Sequence, residues 1–342
     1  MELAPFVVCP ETLGPLEARD DGYWSPRAGR LYPVREGLVF MAYPRRDAAM
    51  IAETMEEEHD WQGTADVAAR NLEYVRANAP RAVDFINLVR PLVEANGRRP
   101  RALELGCGNG WVSWLLAEAG FETWMCDFES NSLATGLNLE HPNIGDGRRF
   151  VVDARYPPIA DGSMDLVVFK EFVHHVSDHR SLFREANRVL RKGGLMALME
   201  PVRSARQAIY EIRHPDPHQG HHLTSARDYL RSIRGAGFEI ARQAYVYGER
   251  AGQGPLAARI RDRAVSAIDP ARPTGDWFTR LHFRLIGGAQ LIVLARKTRD
   301  VQPLERPQMT PISPDNLDLE SQDLRPYDEF PTVLGEAAAR LE

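Results

Sequence analysis

Three glycines at alternate positions, Gly106, Gly108 and Gly110, follow the apolar run Leu103-Glu104-Leu105 and lead into a helical stretch. Glycines so placed let the backbone turn tightly and bring a ligand against amide hydrogens at a helix N-terminus. The dinucleotide fingerprint would put its last glycine at position 111, which is Trp111. The turn is therefore not the usual pyrophosphate cradle. Asp127 follows at about the 20-residue separation at which a carboxylate can accept both hydroxyls of a ribose. Asp153 ends a third apolar run, Val151-Val152. Singly, each feature has an ordinary structural reading: a strand ending in Asp is often just a helix cap. In this order they point to a nucleoside site.

A second group follows the next apolar run: Lys170-Glu171-Phe172-Val173-His174-His175. Adjacent imidazoles can supply a base near neutral pH, contact a ligand or join a metal site. His174 also reads as a residue that simply packs the loop. A further cluster, His214, Asp216, His218, His221 and His222, reads either as a solvated Pro-rich loop or as metal donors completing a site with residue 171 or 175.

These residues need a scaffold, and the pattern supplies one. Short apolar runs fall at Ala102–Leu105, Glu122–Cys126, Arg149–Val152, Asp165–Phe169, Gly194–Met199, Phe238–Tyr247 and Ala289–Arg296. Helical stretches lie between them at Val112–Glu118, Ser130–Leu139, Arg180–Leu190 and Ala226–Gly235. Such alternation predicts an α/β fold, a mostly parallel sheet wound on both faces, with ligands at its carboxyl edge. Residues 46–99 carry helical spacing, expected as two or three helices with a break at Pro80, forming a lid or linker. Residues 1–45 read as a small hairpin-rich β module. Residues 249–280 read as an insertion, and the Pro-rich tail 299–342 as extended or mobile, closed by a short helix at 333–341.

On these motifs the chain resembles the class I S-adenosylmethionine-dependent methyltransferases, with a Rossmann-like sheet and an antiparallel last strand. Leu103–Gly110, Trp124–Phe128, Phe150–Ala154, Pro158–Phe169, Val189–Gly194 and Ala236–Phe238 carry the likeness. The resemblance covers roughly residues 100–248 and the strand at 289–296. It implies S-adenosyl-L-methionine as cofactor, held by Glu104, Gly106, Cys107, Gly108, Asn109, Gly110, Asp127, Phe128, Asp153, Ala154 and Lys170. The glycines would face the methionine half, Glu104 its amino group, Asp127 the ribose, and Asp153 with Ala154 the adenine edge. It implies His175, His174 and Glu171 as the catalytic set. Some O-methylating members bind a divalent metal through an acidic-x-x-acidic-His pattern; His174 stands where an acid would be, and no metal is expected. The implied activity is methyl transfer to a small-molecule acceptor. The alternatives are a non-catalytic cofactor-binding partner protein and a metal-dependent O-methyltransferase.

Residues 9–16 and 29–39 resemble zinc-ribbon-like methyltransferase activators, with Thr12 and Ser25 where cysteines would stand. One cysteine cannot hold a tetrahedral zinc. The module is expected to be metal-free.

Composition narrows the rest. The formal charge of −6, and the lack of a basic run with interleaved aromatics, weigh against a nucleic-acid acceptor. Arg98, Arg99 and Arg101 read as a solvated turn; Arg259, Arg261 and Arg263 could meet an anionic substrate group or serve solubility. No apolar run is long enough for a membrane span. Scattered Cys9, Cys107 and Cys126, and no signal-like N-terminus, fit a cytoplasmic protein.

Overall fold

Among the described residues the apolar runs form seven adjacent strands, reaching one edge, of an eleven-stranded sheet. The computed structural model describes residues 3–49, 51, 65–94, 97–137, 139–145, 147–203, 222–247, 289–318 and 325–342. The expected insertion at 249–280, and the His214–His221 part of the second histidine cluster, lie outside them.

Turn residues break the N-terminal segment into β1 (Glu17–Arg19), β2 (Gly22–Ser25), β3 (Arg30–Arg35) and β4 (Leu38–Phe40), an antiparallel meander. β4 then pairs in parallel with β8 (Arg149–Val151) and so extends the central sheet. β5 (Ala42–Pro44) follows.

The centre runs β8, β7 (Glu122–Asp127), β6 (Arg101–Leu105), β9 (Met164–Lys170) and β10 (Leu190–Pro201), all parallel. β12 (Ala289–Lys297) lies antiparallel between β10 and β11 (Phe238–Tyr247). Every residue of β9 is buried, as a strand covered on both faces requires.

One face carries α1 (Ala65–Val89), α2 (Trp111–Glu118) and α3 (Ser130–Thr135); the other carries α4 (His179–Val189) and α5 (Ala226–Gly235). α1 runs unbroken through Pro80, where a break was expected. A proline in a helix interior costs about 3 kcal/mol. Here Val75, Ala79, Ala82, Val83, Phe85 and Ile86 are all buried around it, and apolar burial of that extent offsets the cost. α3 stops earlier than its sequence suggests. A side chain at Gly136 would run into the Asn109 backbone, so the glycine turn and the end of α3 pack directly together.

The C-terminal segment differs most from expectation. Its prolines predict an extended or mobile tail, yet it is packed. β13 (Met309–Pro311) pairs with β5, and Ile312 donates its N–H to the Met41 carbonyl at 3.0 Å. Leu317, Tyr327, Phe330 and Leu334 are buried. The closing helix α6 (Phe330–Ala338) packs on α1 and α2. No described helix is long and apolar enough to cross a membrane.

Candidate functional site

β6 ends in the glycine turn, and β7 ends beside it. The Gly106 and Cys107 amides both donate to the Cys126 carbonyl, at 2.9 and 3.2 Å, which stitches the turn onto the neighbouring strand. Gly108 has φ +53° and open space where a side chain would stand. Its amide donates to Asp127 Oδ2 at 2.8 Å, and the Glu129 amide donates to Oδ1 at 3.2 Å. Burial pushes the Asp127 carboxyl up to about 6 against these two donors. Glu104 is buried behind the turn and accepts from Ser113 Oγ at 2.6 Å. Burial pushes it up to about 7, with Ser113 and the Lys170 charge pulling the other way.

Gly106 serves a different neighbour from the one expected. A side chain there would fall inside the Phe172 ring, so this glycine admits Phe172 from the segment after β9. A small open cleft lies over the turn, lined by Asn71, Tyr74, Val75, Cys107, Gly108, Asn109, Trp111, Ser132 and Thr135. Of the expected cofactor residues, Cys107, Gly108 and Asn109 line it. Glu104, Gly106, Gly110, Asp127, Phe128, Asp153, Ala154 and Lys170 are not among its lining residues. The Asp153 carboxylate is taken by Arg155, at 2.5 Å from Nη2, and Arg155 also reaches Asp47 at 2.6 Å.

Lys170, at the end of β9, is buried. Its ammonium donates to Tyr74 Oη at 3.0 Å and to Glu171 Oε2 at 2.9 Å. It sits 4.9 Å from the centre of the Trp111 ring, a cation–π contact. The other Glu171 oxygen accepts from Gln290 of β12. Glu171 itself has φ +52°, the left-handed region that side chains avoid. Such strain persists where surroundings over-determine it, and here Lys170 of β9 and Gln290 of β12 hold the carboxylate while the Glu171 amide donates to the Met199 carbonyl of β10 at 2.8 Å.

The two histidines diverge. His174 is buried, with Nδ1 2.8 Å from Glu200 Oε2. Glu200 also accepts from the Phe172 and Val173 amides, at 2.6 and 2.8 Å. His175 is exposed, its ring 4.2 Å from that of His174. The His222 amide donates to the His174 carbonyl at 2.5 Å, which brings the end of the second histidine cluster to the pair.

Residues 73–243 match the methyltransferase-domain family, and the chain belongs to that family. It is 32% identical over 152 residues to the demethylmenaquinone methyltransferase of Beutenbergia cavernae, covering 44% of this chain and 61% of that protein. It is 24% identical over 147 residues to the tRNA 5-carboxymethoxyuridine methyltransferase of Escherichia coli K12, covering 42% of this chain and 56% of that one. The chain thus spans less than two thirds of either relative. Among solved structures, the complex of the Haloferax volcanii Trm112 methyltransferase activator with a methyltransferase aligns at TM-score 0.48 and 16% identity, over 70% of this chain and 99% of that one. The domain is a Rossmann-like, S-adenosylmethionine-dependent methyltransferase domain.

The tRNA-modifying relative corrects one expectation, that a nucleic-acid acceptor is excluded. Net charge averages over the whole surface, whereas an RNA substrate needs only a local complementary patch.

The cleft suits S-adenosylmethionine by its own chemistry. Gly108 leaves open space above the turn, and two buried carboxylates, Asp127 and Glu104, lie just behind it, the first accepting from the Gly108 and Glu129 amides and the second from Ser113. Sequence reasoning missed Asn71, Tyr74, Ser132 and Thr135 in the lining, and Glu200 and Gln290 behind it. Asn71 and Tyr74 come from α1, outside every motif. For Glu200, the one available signal was an acid ending the apolar strand Leu195–Met199.

Proposed function

We propose that the protein transfers the methyl group of S-adenosylmethionine to an oxygen or nitrogen of a small-molecule acceptor. The Gly106–Gly110 turn, with its Gly108 amide held on Asp127 under the cleft, carries this reading. The cofactor brings a methyl group on a sulfonium, a leaving group that needs no protonation. In this reading Asp127 accepts from the ribose hydroxyls and Glu104 from the amino group. Ala154, beside the fixed Asp153–Arg155 pair, faces the adenine edge. The protein's main contribution is alignment, an effect worth several kcal/mol. His175 takes the acceptor's proton where one must leave. His174, gripped by Glu200, holds that segment in place.

Both Glu171 oxygens and His174 Nδ1 are engaged with protein partners. We therefore read the transfer as metal-independent, with activity unchanged by thorough chelation. The relative named for demethylmenaquinone supports a small acceptor. Residues 1–45 are read as a metal-free counterpart of the zinc-ribbon-like activators. Cys9 lies 3.3 Å from Tyr32 Oη, which donates to Glu11, in place of a second sulfur. Stoichiometric zinc, lost on mutating Cys9, would overturn that.

The test is calorimetric binding of S-adenosylhomocysteine, then transfer of labelled methyl to a metabolite extract and, separately, to total tRNA. Labelled small molecules support the proposal. Label in tRNA alone would replace the acceptor class, and binding with no transfer to either would sink the catalytic reading.

A further inference from the structure

The packed C-terminal segment meets the cleft at one residue. Tyr327 is buried, and Asn71 Nδ2 donates to its hydroxyl oxygen at 2.9 Å across 256 positions of sequence. Tyr327 also shares a side-chain hydrogen bond with Thr135. Thr135 in turn donates its own proton to the Ser132 carbonyl at 2.7 Å.

An amide NH₂ can only donate and a carbonyl can only accept. Asn71 therefore gives to Tyr327, and Thr135 spends its proton on Ser132. Thr135 Oγ1 thus meets both the Tyr327 hydroxyl and the Ser132 carbonyl. The relay runs from Asn71 on α1, through the C-terminal segment, to Thr135 and Ser132 on α3. Asn71, Thr135 and Ser132 all line the cleft, on two separate helices.

Neighbouring contacts hold the same segment to α3 and brace it against its own closing helix. The Asp318 amide donates to Asn131 Oδ1 of α3 at 3.0 Å. The Tyr327 ring stacks edge-on with Phe330, 5.1 Å between centres, at the start of α6.

We infer that Tyr327 is a positioning residue of the cofactor cleft, a staple that fixes the spacing of its α1 and α3 walls. It does not touch the cleft itself; it acts through Asn71 and Thr135. The C-terminal segment thus belongs to the cofactor-binding machinery. This rests on the cleft being the S-adenosylmethionine site.

The experiment uses the full chain and calorimetric binding of S-adenosylhomocysteine to wild type, Tyr327→Phe, Thr135→Val and the double variant. Tyr327→Phe keeps the buried ring and removes only the hydroxyl. The expected result is affinity about fivefold weaker for Tyr327→Phe, within what one lost hydrogen bond accounts for. The double variant should bind no more weakly than the worse single one, because both break one relay. A purely structural role would lower the melting temperature while leaving affinity, measured well below it, unmoved. Affinity of Tyr327→Phe within twofold of wild type, or additive losses in the double variant, would overturn the inference. Should Tyr327→Phe fail to fold, an unaltered Kd in Thr135→Val would overturn it equally. Absence of binding by the wild type would instead overturn the underlying reading of the cleft.

Discussion

Glu104 and Asp127 are the residues whose chemistry is most altered by where they sit. Each binds its proton more tightly in the folded chain than in the unfolded one: about 7 against 4.5 for Glu104, about 6 against 3.8 for Asp127. Their stabilising contribution is therefore complete below about pH 4 and lost as pH rises through 6 and 7. At about 1.4 kcal/mol per unit, each is worth of the order of 3 kcal/mol. Urea unfolding without cofactor should show stability declining between pH 5 and 8, and Glu104→Gln should flatten much of that decline. An unchanged slope in the variant would remove Glu104 as its source. Cofactor binding should have the opposite sign. An ammonium favours the ionised carboxylates, so S-adenosylmethionine affinity should rise over the same range. Substitution of His175 acts elsewhere. His175→Ala is expected to lower turnover about 100-fold, the usual scale for a lost base, with S-adenosylhomocysteine affinity within twofold. Retained turnover would leave His175 as an exposed loop residue only.

At the scale of elements, α1 and α6 show what could and could not be read in advance. The strands β6, β7, β9 and β12 were legible because their burial on both faces leaves a mostly apolar run. The glycine turn and Asp127 were legible because backbone conformation and strand-end position are local properties. The path of α1 through Pro80 was not, since tertiary burial overrides a local breaker and sequence carries no record of it. Nor were Glu200, Gln290 or Tyr327, whose roles depend on partners 26 to 256 positions away. The tail misled for a related reason: its prolines and charges are surface features, while Ile312, Leu317, Phe330 and Leu334 are too widely spaced to announce a core. α6 is consequently the element to test. Leu334 is fully buried against the core that α1 and α2 share. Leu334→Ala should cost about 2–5 kcal/mol in urea unfolding, the range for a buried leucine truncation. A loss under about 0.5 kcal/mol, the scale of an ordinary surface change, would mean α6 is only loosely applied.

For the molecule as a whole, the decisive contact is the one between β4 and β8. The sequence suggests a small N-terminal module with its own apolar packing, set beside a larger sheet. In the structure β4 contributes to both of the large cores. Leu38 and Phe40 face the side covered by α1 and α2, while Val39 and Met41 face the side covered by α4 and α5. All four are fully buried, the condition of a central strand and not of an edge. Two further seams cross the same boundary. Residues 6–8 exchange hydrogen bonds with Pro158 and Ala160, and β5 pairs with β13 near the far end of the chain. A module tied at three places cannot open without exposing β8 and both cores. The expected behaviour is therefore one cooperative unit from residue 6 to the end of α6. Hydrogen exchange under native conditions, followed by mass spectrometry across a urea series, measures this directly. Peptides spanning β4 and β8 should converge on one opening free energy and one urea dependence, because only global unfolding frees both. Opening of residues 17–40 at a distinctly lower free energy, with β8 still protected, would show that the N-terminal strands are an appended layer and that β8 can survive as an edge.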